Sequence, residues 1–215
     1  MNLNQYKTII FDCDGVILNS NEIKTQAFYD VARVYGHKSA QRLKEYHIKN
    51  GGISRYEKFE YLFTNILQRP IDAQEFKKLL SNFSKEVNKA LLICEIAENI
   101  KKLRDKTKKS KWLVVSGGDQ IELREIFKKR EITDYFDGGI FGSPDAKNEI
   151  IESKLESGLI TVPALFIGDS RYDFFVSTNA ELDFIFINGW TEVSDWKQFV
   201  FENKIVTVRQ IDDLI

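Results

Sequence analysis

Short apolar runs recur along this chain, and they restrict the fold more than any other feature of the sequence. The runs are continuous rather than alternating, which is typical of strands covered on both faces of a parallel sheet. Helical patterns separate them, and this order favours an open α/β sheet with right-handed crossovers. The predicted strands are 9–11, 112–115, 164–167 and 184–187, with a shorter candidate at 139–142 and a candidate edge strand at 205–208. The predicted helices between the later strands are about 95–108, 120–130, 146–157 and 171–180.

An insertion of about 70 residues follows the first predicted strand and is too long to be a loop. It contains apolar stripes at helical spacing, such as Phe28, Val31, Ala32 and Tyr35. We therefore expect residues 19–90 to form a small all-α cap domain over the end of the sheet. Residues 1–18 and 91–215 would form a Rossmann-like core. The predicted cap helices are roughly 20–35, 39–48, 54–68 and 72–90.

Composition argues against several classes of function. The 215 residues carry 31 basic and 32 acidic side chains, so we expect neither nucleic acid nor a membrane as partner. Two cysteines and two histidines lack the spacing of a zinc site, and two cysteines cannot build a disulfide framework. No apolar run approaches membrane-spanning length, and the N-terminus does not resemble a signal peptide. The sequence thus predicts a cytoplasmic protein and gives no signal for an oligomeric state.

Two aspartates one residue apart, Asp12 and Asp14, end the first apolar run. In extended backbone they would share one side, where two carboxylates repel each other and burial disfavours their charge. Such a pair is useful when a cation lies between the acids or when one of them must carry a proton. The alternative is a solvated turn, because Asp-Gly is common turn chemistry.

Polar residues also follow the other predicted strands. The backbone N–H groups of Gly117 and Gly118 could hold an anion, and the Ser116 hydroxyl could add a donor. Lys147 opens a predicted helix, where a cation opposes the helix dipole unless it faces carboxylates or a phosphate. The alternatives are an ordinary glycine-rich turn and a solvated lysine.

A second acid cluster, Asp169 and Asp173, follows the strand at 164–167. Ser170 and Asp173 have the spacing of a capping box, so Asp173 could be only a helix cap. Asp169 has no such explanation. Ligands in open α/β sheets bind beyond the carboxyl ends of the strands, so these acids and Asp12 are expected to converge. An all-oxygen ligand set suits Mg²⁺.

These motifs together resemble those of the haloacid dehalogenase (HAD) superfamily, along nearly the whole chain. The insertion after the first motif is similar to the C1 helical cap of its phosphoglycolate phosphatase-like branch. The matching segments are Asp12-Cys13-Asp14-Gly15-Val16, Val114-Val115-Ser116-Gly117-Gly118, Lys147, and Gly168-Asp169-Ser170-Arg171-Tyr172-Asp173.

The resemblance implies a role for each motif residue. Asp12 would attack phosphorus, and Asp14 would be the general acid and base. Ser116, Gly117 and Lys147 would bind the phosphoryl group. The implied Mg²⁺ site consists of Asp12, the Asp14 carbonyl, Asp169 and Asp173. Asp173 would act through a metal-bound water, or it would hold Lys147 instead.

The expected function is Mg²⁺-dependent hydrolysis of a small-molecule phosphate ester, either a sugar phosphate or a phosphoglycolate-like compound. Arg55 and Asn19 are candidate substrate contacts, although many phosphatases of the branch carry an acid where this chain has Asn19. A β-phosphoglucomutase-like mutase is the main alternative, but Gly51 and Lys24 replace the lysine and histidine usual there. A non-catalytic module is disfavoured because the essential motif residues are all present, and Asp14 argues against a dehalogenase.

Overall fold

The computed structural model describes residues 2–215 and contains one parallel sheet of six strands. The strands are β1 Thr8–Phe11, β2 Lys111–Asp119, β3 Gly139–Ser143, β4 Ala164–Gly168, β5 Asp183–Ile187 and β6 Val206–Val208. The six predicted strands are therefore confirmed, with β6 at one edge. All four residues of β1 are buried, as expected for a run without alternation.

The strand order is β3-β2-β1-β4-β5-β6, so the direction of progression reverses between β1 and β4. Phe11 lies opposite Val114 of β2 and Ile167 of β4. The residues that follow these three strands consequently emerge at the same edge of the sheet. A crevice forms at such a reversal, and it is the usual ligand site of open α/β sheets.

The helices flank the sheet and build the insertion that follows β1. No helix in residues 2–215 is long and apolar enough to cross a membrane. Helix α9, Trp196–Glu202, was not predicted from the sequence. The helices of the insertion are α1 Asn21–Ala32, α2 His37–Lys49, α3 Arg55–Tyr61 and α4 Ala73–Leu91. Those that follow are α5 Ile100–Lys106, α6 Gln120–Lys129, α7 Lys147–Glu156, α8 Arg171–Asn179 and α9.

Aromatic side chains hold helices α1, α3 and α4 together. The Phe28 ring lies 5.2 Å from that of Phe59 and 4.3 Å from that of Phe83. Helix α4 contributes an i, i+4 stripe of buried residues, Leu79, Phe83, Val87 and Leu91. The buried apolar residues of the insertion are continuous with those under the sheet. The helices of the insertion therefore pack against the core that contains the sheet.

Candidate active site

Lys147 joins two carboxylates at the edge of the sheet. Its Nζ lies 2.9 Å from Asp12 Oδ1 and 2.6 Å from Asp173 Oδ1. The lysine is 1% exposed. Burial disfavours its charge, but the two carboxylates outweigh burial and raise the pKa of Lys147 above its usual value. A cation in the first turn of α7 is therefore explained by what it faces rather than by the helix dipole.

Asp12 lies directly after β1 and is 3% exposed. Its Oδ1 accepts the backbone N–H of Cys13 at 2.7 Å as well as the Lys147 ammonium. Burial raises the pKa of Asp12 to about 7, against the opposing effect of Lys147 and with a further contribution from Asp173. The second carboxylate oxygen, Oδ2, has no hydrogen-bond donor among residues 2–215.

Asp169, after β4, completes a group of three acids. One oxygen each of Asp12, Asp169 and Asp173 lie within 4.8 Å of one another. Burial, followed by repulsion from Asp12 and Asp173, raises the pKa of Asp169 well above its usual value. The converging acids predicted from the sequence are thus adjacent.

Asn21 orients Asp169 and was missed by sequence reasoning. Its Nδ2 donates to Asp169 Oδ2 at 2.7 Å and to the carbonyl of Trp190 at 2.8 Å. The other oxygen of Asp169, Oδ1, has no donor within residues 2–215. An asparagine in the first turn of a helix carries no sequence signal for this contact, because its partners lie more than 140 residues away.

The arrangement of these acids fits a divalent cation. Asp173 already accepts Lys147 on Oδ1 and the Ser170 hydroxyl, at 2.7 Å, on Oδ2. It is therefore both the helix cap that the Ser170 spacing predicted and the partner of Lys147. Asp12 and Asp169 each keep one oxygen without a donor, and oxygen ligands of this kind suit Mg²⁺. Counting Asp14 and Lys24, four carboxylates face two lysines here, which leaves an excess of negative charge that a divalent ion would offset.

Asp14 contacts the start of helix α1 rather than Lys147. It accepts the Ser20 hydroxyl at 2.6 Å and the Lys24 ammonium at 2.5 Å. Burial raises the pKa of Asp14, but Lys24 and Ser20 outweigh burial and hold it below its usual value. The turn between Asp14 and helix α1 needs Gly15, whose φ is +76° and whose Cβ would overlap the side chains of Asp169 and Asn21.

Ser116 and Gly117 lie within β2, which continues to Asp119 beyond its predicted end at Val115 and has an irregular register between these two residues. The glycine-rich turn considered from the sequence is therefore an irregular part of a strand. Ser116 is fully buried, and its hydroxyl accepts the backbone N–H of Gly118 at 3.1 Å. Ser143 of β3 donates to the Gly117 carbonyl at 3.1 Å and so connects the two strands within the irregular part of β2. Gly117, Gly118, Asp12 and Asp14 line one cavity.

The cavity lies between the strand ends and the helical insertion. Its free volume is about 60 Å³, room for a few water molecules. The Gly52 carbonyl lies directly against the Cα of Gly117. The Tyr56 hydroxyl donates to Asp119 at 3.0 Å. The insertion is therefore in close contact with the core around this cavity.

The two candidate substrate residues have different surroundings. Arg55 lines the cavity, but its guanidinium lies 2.8 Å from Glu122 Oε2 and donates to Ser84 at 2.9 Å. Asn19 is not among the residues that line this cavity; its amide donates to Glu95 at 3.1 Å. A substrate contact from either residue stays a prediction.

The chain belongs to the haloacid dehalogenase-like hydrolase family, whose model matches residues 9–187. It is 27% identical over 143 residues to a phosphorylated carbohydrates phosphatase of Thermotoga maritima. That alignment covers 63% of this chain and 61% of the relative. This chain therefore spans less than two thirds of the length of the curated relative it matches.

Solved structures share the fold over nearly the whole chain. A phosphonoacetaldehyde hydrolase like protein from Oleispira antarctica has a TM-score of 0.74 at 13% identity, covering 98% of this chain and 90% of that chain. A β-phosphoglucomutase from Clostridium difficile has a TM-score of 0.72 at 18% identity, covering 97% of this chain and 93% of that chain. At such identities the likeness shows the fold alone and does not distinguish among the reactions named for these proteins.

Proposed function

We propose that this chain is a Mg²⁺-dependent phosphatase that hydrolyses a small phosphorylated metabolite through an aspartyl-phosphate. One observation carries the proposal. Lys147 joins Asp12 to Asp173 beside Asp169, and Asp12 and Asp169 each keep a carboxylate oxygen without a donor. Phosphoryl transfer needs this combination of a positioned nucleophile and positive charge.

In the first step, a carboxylate oxygen of Asp12 attacks phosphorus. The bond between phosphorus and the ester oxygen breaks, and the Asp14 carboxyl gives its proton to the departing oxygen. Lys24 opposes this protonation of Asp14. A phosphate dianion bound against Asp14 raises its pKa again and favours the protonated form.

In the second step, water attacks the phosphorus of the aspartyl-phosphate. The Asp14 carboxylate accepts the proton of the water, and the bond to Asp12 breaks to release inorganic phosphate. Ser116, the Gly117 backbone and Lys147 would hold the phosphoryl oxygens. Asp12, Asp169 and the Asp14 carbonyl would hold the metal, which neutralises phosphoryl charge, and Asp173 would keep Lys147 in place.

Residues 19–90 would act as a cap that opens to admit substrate. The free space of about 60 Å³ is too small for a sugar phosphate, so entry requires the insertion to move away from the strand ends. We also propose that the protein is cytoplasmic and that its substrate is a small-molecule phosphate ester, as expected from the sequence. The name of the Thermotoga relative supports a phosphorylated carbohydrate as one class of substrate.

Release of phosphate from p-nitrophenyl phosphate tests the proposal. We expect turnover with Mg²⁺ and loss of turnover when the metal is removed with EDTA, because the acids would then repel the substrate phosphate. Absence of Mg²⁺-dependent turnover on this compound and on a panel of sugar phosphates would refute a hydrolase. Interconversion of sugar phosphates after priming with a bisphosphate would indicate a mutase instead.

The contact between Gly52 and Gly117 gives a test of closure. In Gly117→Ala, the added Cβ would overlap the Gly52 carbonyl, so the loop at 51–53 must move away. We expect kcat/KM to fall on the order of 10- to 100-fold, since small misplacements of a closing segment have effects of this size. Gly51→Ala is the matched control, because its Cβ would make only an ordinary contact, 3.5 Å from Ser170 Cβ. Equal activity of the two variants would argue against a cap that closes on Gly117.

A further inference from the structure

Three basic side chains of the insertion, Lys24, Arg55 and Lys58, line the same cavity as the acids. Lys24 is paired with Asp14, and Arg55 is paired with Glu122. Lys58, on α3, differs from both. No carboxylate oxygen of residues 2–215 lies within 4.0 Å of its ammonium.

The surroundings of Lys58 disfavour its charge. The residue is 2% exposed, and its Nζ lies 5.4 Å from the centre of the Phe28 ring. Its hydrogen-bond partner is His47, whose Nδ1 lies 2.9 Å from Nζ. Burial, followed by repulsion from Lys24, lowers the pKa of Lys58 to about 7. Burial also holds the pKa of His47 well below its usual value, so the imidazole is neutral and can accept at Nδ1.

Glu192 is near this pair but is engaged elsewhere. Its two carboxylate oxygens accept the Thr25 hydroxyl at 2.8 and 2.7 Å. His47 Nε2 lies 3.8 Å from Glu192 Oε2, so the imidazole stands between Glu192 and Lys58. At this distance Glu192 makes no hydrogen bond to the imidazole, and it makes no ion pair with Lys58.

A buried ammonium without an anionic partner is destabilising, and ligand binding is a common reason for keeping one. The ammonium has three N–H groups, and His47 accounts for one of them. Lys58 and the acids line the same cavity, so a molecule whose phosphate lies at Asp12 would extend its other end towards Lys58. An anion at that end would provide the missing charge partner.

We propose that Lys58, oriented by His47, binds a carboxylate on the leaving group of the substrate. This inference rests on the proposed phosphatase activity and narrows its substrates to phosphate monoesters of small hydroxy acids rather than neutral polyols. A single carboxylate suits the site better than a second phosphate. The site offers one ammonium, has little free space, and lies near Glu192, which would repel a dianion.

The test compares esters that differ in the acid group. The pairs are 3-phosphoglycerate with glycerol 1-phosphate, and 2-phosphoglycolate with ethyl phosphate. We expect the unaltered protein to prefer the acid member of at least one pair. Lys58→Met should lower kcat/KM for that acid about 10- to 100-fold, the size of a charge-assisted hydrogen bond, and leave the neutral partner within about twofold. Lys78→Met, at an exposed lysine of α4, should change neither.

The possible failures are distinguishable. Lys58→Met should fold, because methionine removes a buried charge and keeps most of the side-chain volume; thermal unfolding checks this. An equal loss on both members of a pair would overturn the inference and indicate a role in the common phosphoryl chemistry. Turnover of p-nitrophenyl phosphate without preference for 3-phosphoglycerate or 2-phosphoglycolate over its neutral partner would also overturn the inference about Lys58. The proposed phosphatase activity would then stand. Absence of turnover on every ester would refute both.

Discussion

Asp12→Asn is expected to abolish turnover and to raise the thermal stability of the metal-free protein. The amide is a poor nucleophile, so kcat should fall by at least about 10⁴-fold, as removal of a catalytic nucleophile does elsewhere. The stability gain has a separate cause. Asp12 is buried beside Asp169 and Asp173, and the amide removes one of three mutually repelling charges. Lys147 keeps Asp173 as its partner in the variant.

The gain in stability should depend on pH in a defined direction. Burial raises the pKa of Asp12 from 3.8 to about 7, so the folded state binds a proton more tightly than the unfolded state does. The Asp12 carboxyl therefore destabilises the folded state least below about pH 4, where it is protonated in both states. Its destabilising effect grows as the pH rises and is complete above about pH 7. The difference in melting temperature between Asp12→Asn and the unaltered protein should be largest above about pH 7. Thermal unfolding in EDTA over this range measures it.

The control for this variant is Asp134→Asn, at an exposed aspartate outside the site. It should alter neither turnover nor the pH dependence of stability. Near-normal turnover by Asp12→Asn would refute the assignment of Asp12 as nucleophile. Loss of turnover together with a lower melting temperature at high pH would show that Asp12 stabilises the fold and that repulsion among the three acids does not dominate.

The sheet was predictable because each strand carries its own signal. The central strands are covered on both faces, so their sequences are continuous apolar runs that stand out locally. The polar residues that follow them were predictable for the same reason, since parallel strands end at one edge. Helix boundaries were less clear. The predicted helix 54–68 is α-helical only over Arg55–Tyr61 and continues as a π-helical segment, Leu62–Ile66. There the Thr64 hydroxyl bonds the Glu60 carbonyl and competes with the regular pattern.

Other parts of the candidate site could not be inferred from local sequence. Asn21 contacts Asp169, and Thr25 contacts Glu192, across more than 140 residues of chain. Lys58 and His47 lie on different helices, and their contact depends on how those helices pack. Lysine and histidine on amphipathic helices usually face solvent. The motif residues were therefore recognisable in the sequence, while the residues that orient them required the tertiary structure.

The acid pair illustrates this division. Spacing alone predicted that Asp12 and Asp14 would lie on one side of the chain and repel each other. In the folded chain Lys147 contacts Asp12 and Lys24 contacts Asp14, so the two carboxyls have different partners and their pKa values move in opposite directions. Pairs of acids in contrasting surroundings are how one site provides both a nucleophile and a proton donor.

Lys147→Met is expected to abolish turnover and, in contrast to Asp12→Asn, to destabilise the fold. Removing the ammonium leaves Asp12 and Asp173 buried without their shared cation, and loss of one partner of a buried ion pair commonly lowers the free energy of unfolding by about 3–5 kcal/mol. Urea unfolding at about pH 8 in EDTA should show a loss of this size. Lys129→Met, at an exposed lysine on α6, should show no comparable loss.

Three further measurements separate lost charge compensation from lost packing. Lys147 opposes the rise in the pKa of Asp12, so without it that pKa is higher still. The unfavourable charge on Asp12 then disappears as the pH falls, and the stability deficit should shrink towards about pH 4. The double variant Lys147→Met with Asp12→Asn should regain part of the lost stability but no turnover, because one repelling charge is gone while the nucleophile is absent. Mg²⁺ should also recover stability in Lys147→Met, since Asp12 and Asp169 keep the oxygens that would bind it. A deficit that responds to neither pH nor Mg²⁺ nor the second substitution would mean that Lys147 stabilises the site through its packed alkyl chain rather than its charge.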